Sequence, residues 1–222
     1  MNAMTPLPLI AIDGPSGVGK STTARAVALA LGWDYMDTGG MYRCAALAAL
    51  RTGTALDDAG MAGLLARIGI EQVGSRFTLD GDDVTEAIRG AEVTRMASPA
   101  SALPAVRHSL VALQRRLGAR GRWVVDGRDI GTVVFPAACC KVFLTASPEA
   151  RARRRLLELQ AKGQPAEFER VRADLAERDH RDSTRELAPL RPAEDAWLLD
   201  SSDLDRDQVV AAILARHARH PG

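Results

Sequence analysis

Residues 14–21 read Gly-Pro-Ser-Gly-Val-Gly-Lys-Ser, and they follow an apolar run from Leu7 to Ile12 that ends at Asp13. The pattern G-x-x-x-x-G-K-S/T between a strand and a helix is typical of a phosphate-binding loop, or P-loop. Its glycines let successive N–H groups face phosphate oxygens, and the following helix adds the positive end of its dipole. We therefore predict a nucleoside triphosphate site with Lys20 on the outer phosphates and the Ser21 hydroxyl on Mg²⁺.

Away from this loop, short apolar runs alternate with helix-forming segments. Strands are predicted at 7–12, 34–36, 123–125, 141–145 and 197–199, and helices at 19–31, 38–50, 104–117, 148–161, 167–181 and 206–217. Such alternation predicts an α/β fold with a parallel sheet flanked by helices. Between about 68 and 84 the rhythm breaks into short segments with Gly74 and Gly81 as turns, which indicates a small antiparallel insert.

Composition narrows the class of protein. The chain has 222 residues, with 29 Lys and Arg against 28 Asp and Glu, and this near-balance argues against a dedicated nucleic-acid binder. Its three cysteines lack the spacing of a disulfide framework or a zinc site. We see no secretory signal at the start and no apolar run of membrane-spanning length. The expectation is a cytoplasmic protein that binds neither membrane nor nucleic acid.

Three polar clusters favour a kinase over the other P-loop classes. A GTPase would need N-K-x-D, whereas the only asparagine is Asn2. An anionic acceptor needs its own arginines, since donor and acceptor phosphates repel each other. Candidate clusters are 37–43, 126–129 at the end of a predicted strand, and 177–185. If the helix containing 177–181 continues far enough, Arg178, Asp182 and Arg185 lie on one face.

Six motifs in order resemble the bacterial cytidylate (CMP) kinases, a family of nucleoside monophosphate kinases with a P-loop core. They are I-D-G-P-S-G-V-G-K-S-T at 12–22, D-T-G-G-M-Y-R at 37–43, D-V-T-E-A-I-R at 83–89, D-G-R-D-I-G-T-V-V-F-P at 126–136, E-R-D-H-R-D-S-T-R at 177–185 and L-A-P-L-R-P-A-E-D-A at 187–196. The resemblance runs from about 9 to 215 and implies one kinase domain over 1–222. Within it the family has an acceptor-binding insert, here at about 62–100, and a helical lid, here at about 149–166.

The resemblance also implies roles for individual residues. The ATP-binding set is Gly14, Pro15, Ser16, Gly17, Val18, Gly19, Lys20, Ser21 and Thr22. Around the acceptor, the family places Ser98, Arg107 and Asp129 at the cytosine and Arg178 and Asp182 at the ribose. Thr38, Arg43, Arg128 and Arg185 hold or approach the acceptor phosphate. The implied catalytic residues are Lys20, Arg128, Asp129 and Arg185.

The lid and the metal ion leave alternatives open. Arg151 and Arg155 share a helix face and are the predicted lid arginines, while Arg154 is expected to pair with Glu158. Mg²⁺ is the expected cofactor, with Ser21 as its ligand and either Asp126 or Asp129 helping to place it. Gly40 stands where alanine is commoner in the family, at some cost in helix propensity.

The expected reaction is transfer of the γ-phosphoryl group of MgATP to CMP or dCMP, giving ADP and CDP or dCDP. Cytosine presents an amine donor and two acceptors, which a carboxylate or hydroxyl plus an arginine complements. The family implies a monomer. The alternatives are a P-loop kinase for UMP, AMP or shikimate, and a module that binds ATP and a pyrimidine nucleotide without turnover.

Overall fold

The computed structural model describes residues 7–161 and 163–219, and the chain divides into two compact units. One comprises the described residues up to Asp34 together with those from Gly121 onward, and the other is Tyr35–Arg120. The sequence predicts a single domain with an insert at about 62–100. The second unit contains that segment, and the bounds of the acceptor-binding insert stay a prediction.

The strands and helices follow the predicted order. The strands are β1 (Leu7–Asp13), β2 (Asp34–Asp37), β3 (Ile70–Val73), β4 (Arg76–Leu79), β5 (Asp82–Asp83), β6 (Trp123–Gly127), β7 (Ala138–Thr145) and β8 (Trp197–Asp200). The α-helices are α1 (Lys20–Leu31), α2 (Thr38–Thr52), α3 (Asp58–Leu65), α4 (Ala91–Ala100), α5 (Pro104–Gly118), α6 (Pro148–Ala161), α7 (Phe168–Thr184) and α8 (Arg206–Ala218). A 3₁₀ turn at Ala87–Arg89 and a π-helical turn at Ile130–Val134 complete the described elements.

A five-stranded sheet in the order β2-β6-β1-β7-β8 carries the P-loop core. Strand β1 pairs in parallel with β6 and with β7, so that Ile12 lies opposite Asp126 on one side and Val142 on the other. Strands β1 and β6 consist mainly of apolar residues, most of which are buried, as a parallel sheet covered on both faces requires. Because β1 and β6 are parallel neighbours, the segments that follow Asp13 and Gly127 leave the sheet at the same edge.

The second unit contains the predicted antiparallel piece. Strands β3, β4 and β5 form an antiparallel sheet in that order, with Gly74 and Gly81 in left-handed turns between them. Helices α3 and α4 were not predicted from the sequence. Helix α3 is rich in small residues and shows little helical periodicity, and α4 contains Pro99, which argues against a helix when the sequence is considered alone.

Gly40 has a packing reason that the sequence did not reveal. A Cβ atom at this position of α2 would lie 2.2 Å from the Cζ atom of Phe77, whose ring is fully buried. The departure from alanine therefore makes room for the aromatic ring of β4. The helix propensity lost at Gly40 is offset by the burial of that ring.

Gly14 is a second position where only glycine fits. Its φ is 150°, and a Cβ atom there would lie 2.0 Å from the carbonyl oxygen of Leu144 on β7. We expect Gly14→Ala to lower the free energy of unfolding by about 3 kcal/mol or more, because backbone atoms must move apart. Urea unfolding of the purified variant measures this loss.

Gly32→Ala is the matched control for that experiment. Gly32 ends α1 at a φ of 64°, and a Cβ atom added there would meet nothing within 4 Å, so only backbone strain opposes the substitution. Its expected cost is about 1 kcal/mol. Equal losses in the two variants would show that the contact with Leu144 is unimportant.

Within residues 7–161 and 163–219, every helix is too short or too polar to cross a lipid bilayer.

Candidate phosphoryl-transfer site

The P-loop closes around its own lysine. Gly17 and Gly19 adopt φ values of 74° and 94°, and α1 begins directly after them at Lys20. The Nζ atom of Lys20 donates to the carbonyl oxygen of Pro15 at 2.7 Å, and the residue is buried. The predicted loop geometry, with a glycine-rich turn leading into a helix N-terminus, is therefore present.

The surroundings of Lys20 destabilise its charge. Burial lowers the pKa of its ammonium group well below the ordinary value, and the like charges of Arg128 and Arg178 lower it further. The carboxylates of Asp126 and Asp13 oppose this in part. A phosphate oxyanion would stabilise the charged form, so the loop is arranged to receive negative charge.

Ser21 contacts a carboxylate at the end of the neighbouring strand. Its Oγ donates to Oδ2 of Asp126 at 2.7 Å, and Asp126 is buried. A hydroxyl and a carboxylate are hard oxygen ligands of the kind Mg²⁺ accepts, and Mg²⁺ takes most other ligands from phosphates and water. The residues present thus fit the metal ion, and they favour Asp126 over Asp129 as the carboxylate beside it.

Arg128 connects the P-loop to α7. Its Nε donates to Oδ2 of Asp182 at 2.8 Å, and its Nη2 donates to Oγ of Ser16 at 2.9 Å. Burial by itself raises the pKa of Asp182, but Arg128, with Arg178 and Arg185, outweighs it and holds the pKa below its usual value. Asp182 therefore stays ionised and fixes Arg128 against the loop.

Arg185 pairs with Asp129 from a position just beyond the end of α7. Helix α7 ends at Thr184, and Arg185 has an extended backbone with φ −61° and ψ 141°. The helix therefore extends beyond its predicted end and includes Arg178 and Asp182, but it stops one residue short of Arg185. Nη2 of Arg185 lies 3.4 Å from Oδ1 of Asp129, and both side chains are buried.

Sequence reasoning missed Asp13, the last residue of β1. Its two carboxylate oxygens each accept an N–H, from Ile130 and from Gly131, both at 2.8 Å. Burial raises its pKa to about 6, those two hydrogen bonds lower it in part, and the charge of Asp129 raises it. Asp13 thus fixes the turn that presents Arg128 and Asp129; its place at the end of β1 was the only sequence signal.

The raised pKa of Asp13 predicts a pH-dependent stability. Because the folded protein holds the Asp13 proton more tightly than the unfolded chain, stability from this group falls as pH rises from about 4 to about 6. We expect the stability advantage of wild type over Asp13→Asn to shrink by about 2 kcal/mol between pH 4.5 and pH 7. Urea unfolding at both pH values measures it, and a gap that does not change with pH would contradict it.

The lid arginines differ from expectation in their partners. Arg155 pairs with Glu158 at 3.0 Å on the surface, so the predicted pairing of Arg154 with Glu158 is wrong. Arg154 instead donates to the carbonyl oxygens of Val18 and Leu204 and to Ser201. The reason is the direction of its side chain, since Arg154 faces the P-loop and Arg155 faces solvent.

Arg151 is buried against the P-loop. It donates to the carbonyl oxygens of Ala146 at 3.2 Å and Ser16 at 3.1 Å, and it forms an ion pair with Asp179. The contact of either lid arginine with a transferring phosphoryl group stays a prediction.

The remaining predicted residues lie on the second unit. Asp37 caps α2 by accepting from the Gly40 N–H at 2.7 Å, and its other oxygen pairs with Arg43 at 3.0 Å. Thr38 and Arg107 are buried, and Nη1 of Arg107 lies 3.4 Å from the Tyr42 hydroxyl. Ser98 is half-buried on α4. Arg43 and Arg107 are thus held by partners within this unit, and their contacts with an acceptor stay predictions.

A parallel sheet, a P-loop at its carboxyl edge and arginines held beside that loop define the class of P-loop kinases. The comparisons with known proteins then give the family. The family model for cytidylate kinase matches residues 10–219, and this chain belongs to that family.

Individual relatives agree with the family match. The chain is 51% identical to a cytidylate kinase of Rhodococcus opacus over 212 residues, 93% of both chains. It is 45% identical to a cytidylate kinase of Pseudomonas aeruginosa over 223 residues, 97% of both chains. Among solved structures, an uncharacterized protein from Eubacterium ventriosum shares the fold at a TM-score of 0.52 and 11% identity, covering 94% of this chain and 96% of that one.

Proposed function

We propose that this enzyme transfers the γ-phosphoryl group of ATP to CMP or dCMP, giving ADP and CDP or dCDP. The observation that carries the proposal is the contact between the P-loop and a separately anchored arginine, Arg128, at 2.9 Å from Ser16. A kinase must bring two anionic groups together, and this needs cations on both sides of the transferred group. Membership of the cytidylate kinase family supplies the identity of the acceptor.

Each residue near the loop has a task in this scheme. Lys20 binds the outer phosphates of the donor, and Arg128 and Arg185 neutralise charge that develops on the transferred group. Asp182 and Asp129 hold those two arginines in place, with separations of 2.8 Å and 3.4 Å. No covalent intermediate is needed, because positioning and electrostatic stabilisation suffice for phosphoryl transfer.

The acceptor contacts are proposed from the family resemblance. Ser98, Arg107 and Asp129 recognise the cytosine, while Arg178 and Asp182 bind the sugar. Thr38 and Arg43, together with Arg128 and Arg185, bind the acceptor phosphate. Uracil reverses the donor and acceptor pattern at two positions, so it leaves buried groups unpaired and is the poorer base.

Mg²⁺ is the proposed cofactor, and it would supply positive charge that neutralises the phosphates of the nucleotide. Ser21 and Asp126 would hold it, as their 2.7 Å contact and oxygen chemistry support. We further propose a monomer in the cytoplasm. Cys44, Cys139 and Cys140 are free thiols, which suits a reducing compartment.

A panel of acceptors tests the proposal directly. Release of ADP from MgATP is measured with CMP, dCMP, UMP, AMP and shikimate in a coupled assay. We expect turnover with CMP and dCMP and at least about tenfold lower kcat/KM with UMP. Best turnover with AMP or shikimate would assign another kinase, and tight CMP binding without ADP release would indicate a nucleotide-sensing module.

A further inference from the structure

Three polar groups of one P-loop residue are occupied by side chains from outside the loop. The N–H of Ser16 donates to Oδ1 of Asp179 at 2.8 Å, and its carbonyl oxygen accepts from Nη1 of Arg151 at 3.1 Å. Its hydroxyl accepts from Nη2 of Arg128 at 2.9 Å. The loop is therefore held at Ser16 from α6, α7 and the segment after β6.

Asp179 and Arg151 also contact each other, which closes a ring of hydrogen bonds on the Ser16 backbone. Nη1 of Arg151 donates to Oδ2 of Asp179, the carboxylate oxygen that the Ser16 N–H does not use. Both side chains are largely shielded from solvent, with exposed fractions of 11% and 18%. Charge-assisted hydrogen bonds in such surroundings are short and directional, so this ring constrains both the N–H and the carbonyl of one residue.

Helices α6 and α7, which carry Arg151 and Asp179, pack against each other. A small apolar core of Ala152, Val171 and Leu175 joins α6 to α7. Gly17 lies directly against it, since a Cβ atom there would be 3.2 Å from Leu175 and 3.3 Å from the Arg151 carbonyl oxygen. The ring of hydrogen bonds on Ser16 thus fixes the P-loop relative to the packed pair of helices α6 and α7.

We propose that Asp179 is a positioning residue of the donor site, which acts with Arg151 by fixing the backbone of Ser16 in the conformation that binds the phosphates of ATP. Arg151 then works through the loop, because its guanidinium already has three acceptors, in Ala146, Ser16 and Asp179. Asp179 lies one helical turn from Asp182, so α7 holds two arginines, Arg151 and Arg128, that both contact Ser16. This inference rests on the proposed phosphoryl transfer only for the identity of the donor nucleotide.

The test compares MgATP binding and steady-state kinetics across matched variants of the whole chain. Asp179→Ala is expected to weaken MgATP binding, measured by calorimetry without acceptor, by about tenfold, because the loop must then be ordered by the nucleotide. KM for CMP is expected to change by less than about threefold. Asp174→Ala removes an exposed carboxylate of the same helix and is expected to match wild type.

Two further variants separate positioning from folding. Asp179→Asn keeps an oxygen for the Ser16 N–H but loses the charge that Arg151 contacts, so it should recover part of the MgATP affinity. Arg151→Met combined with Asp179→Ala should weaken MgATP binding no more than either change alone, since both break one ring. If Asp179→Ala fails to fold, Asp179→Asn tests the inference instead. We then expect it to bind MgATP at least about threefold more weakly than wild type.

Other results would overturn the inference. Wild-type affinity for MgATP in a folded Asp179→Ala or Asp179→Asn protein, or fully additive losses in the double variant, would show that the ring does not position the loop. Failure of wild type to phosphorylate CMP would instead count against the proposed function. The binding measurement needs no acceptor and still decides the role of Asp179.

Discussion

Lys20→Met is expected to reduce kcat/KM for MgATP, measured at saturating CMP, by at least about 10³-fold. This loss corresponds to about 4 kcal/mol of transition-state stabilisation. Lys20 is the buried cation of the P-loop, and Asp126 and Asp13 are the carboxylates whose charges favour its protonated form. Methionine keeps the volume of the side chain and removes the charge. Lys20→Ala is expected to lose as much. A coupled assay of ADP release with saturating CMP measures the loss.

Lys141→Met is the matched control because it removes the other described lysine of the same unit. Nζ of Lys141 pairs with Asp195 at 2.8 Å, outside the P-loop, and its aliphatic carbons pack on Gly131. We expect its kcat/KM to stay within about twofold of wild type. Near-normal turnover in a folded Lys20→Met protein would remove Lys20 from the reaction.

Asp129→Ala is expected to lower kcat/KM for CMP by about 10²-fold while the affinity for MgATP stays within about threefold of wild type. The carboxylate is proposed to contact the cytosine, and it also pairs with the buried Arg185. Without it, the amine of cytosine loses an acceptor and Arg185 loses a nearby counter-charge. Steady-state kinetics with CMP measure the loss in kcat/KM, and calorimetry with MgATP measures the affinity for the donor.

Removal of one partner of a buried pair can also destabilise the fold, so a second variant is needed. Asp129→Asn keeps the shape and one accepting oxygen, and we expect about a tenfold loss in kcat/KM for CMP and a lower ratio of CMP to UMP turnover. Asp207→Ala removes an exposed carboxylate on α8 and serves as the control. Equal losses in kcat/KM for CMP and in affinity for MgATP would contradict a role of Asp129 in recognising the cytosine.

Local sequence was sufficient for the elements that depend on local chemistry. The strand from Leu7 and the helix from Lys20 were predicted because an apolar run, a glycine turn and helix formers follow one another. The small antiparallel sheet was predicted from short segments punctuated by Gly74 and Gly81. Helix α7 was predicted too short by three residues, since nothing local marks its end at Thr184.

The contacts of the arginines could not be predicted in the same way. The i,i+4 rule places Arg151 and Arg155 on one face, yet Arg151 is buried against Ser16 while Arg155 pairs with Glu158 at the surface. Spacing along a helix says which side chains share a face but not what packs against that face. Arg154 likewise binds Ser201, which is 47 residues away in sequence.

By itself the sequence determined the α/β class, the phosphate loop and, through six ordered motifs, the resemblance to cytidylate kinases. These follow from short stretches in which residue type and spacing set the backbone and its hydrogen-bond donors. Only the tertiary structure decided that Asp13 fixes the turn after β6, that Gly40 makes room for Phe77, and that Asp179 and Arg151 enclose Ser16. Each of those depends on contacts between residues distant in the chain, and burial gives such contacts their strength.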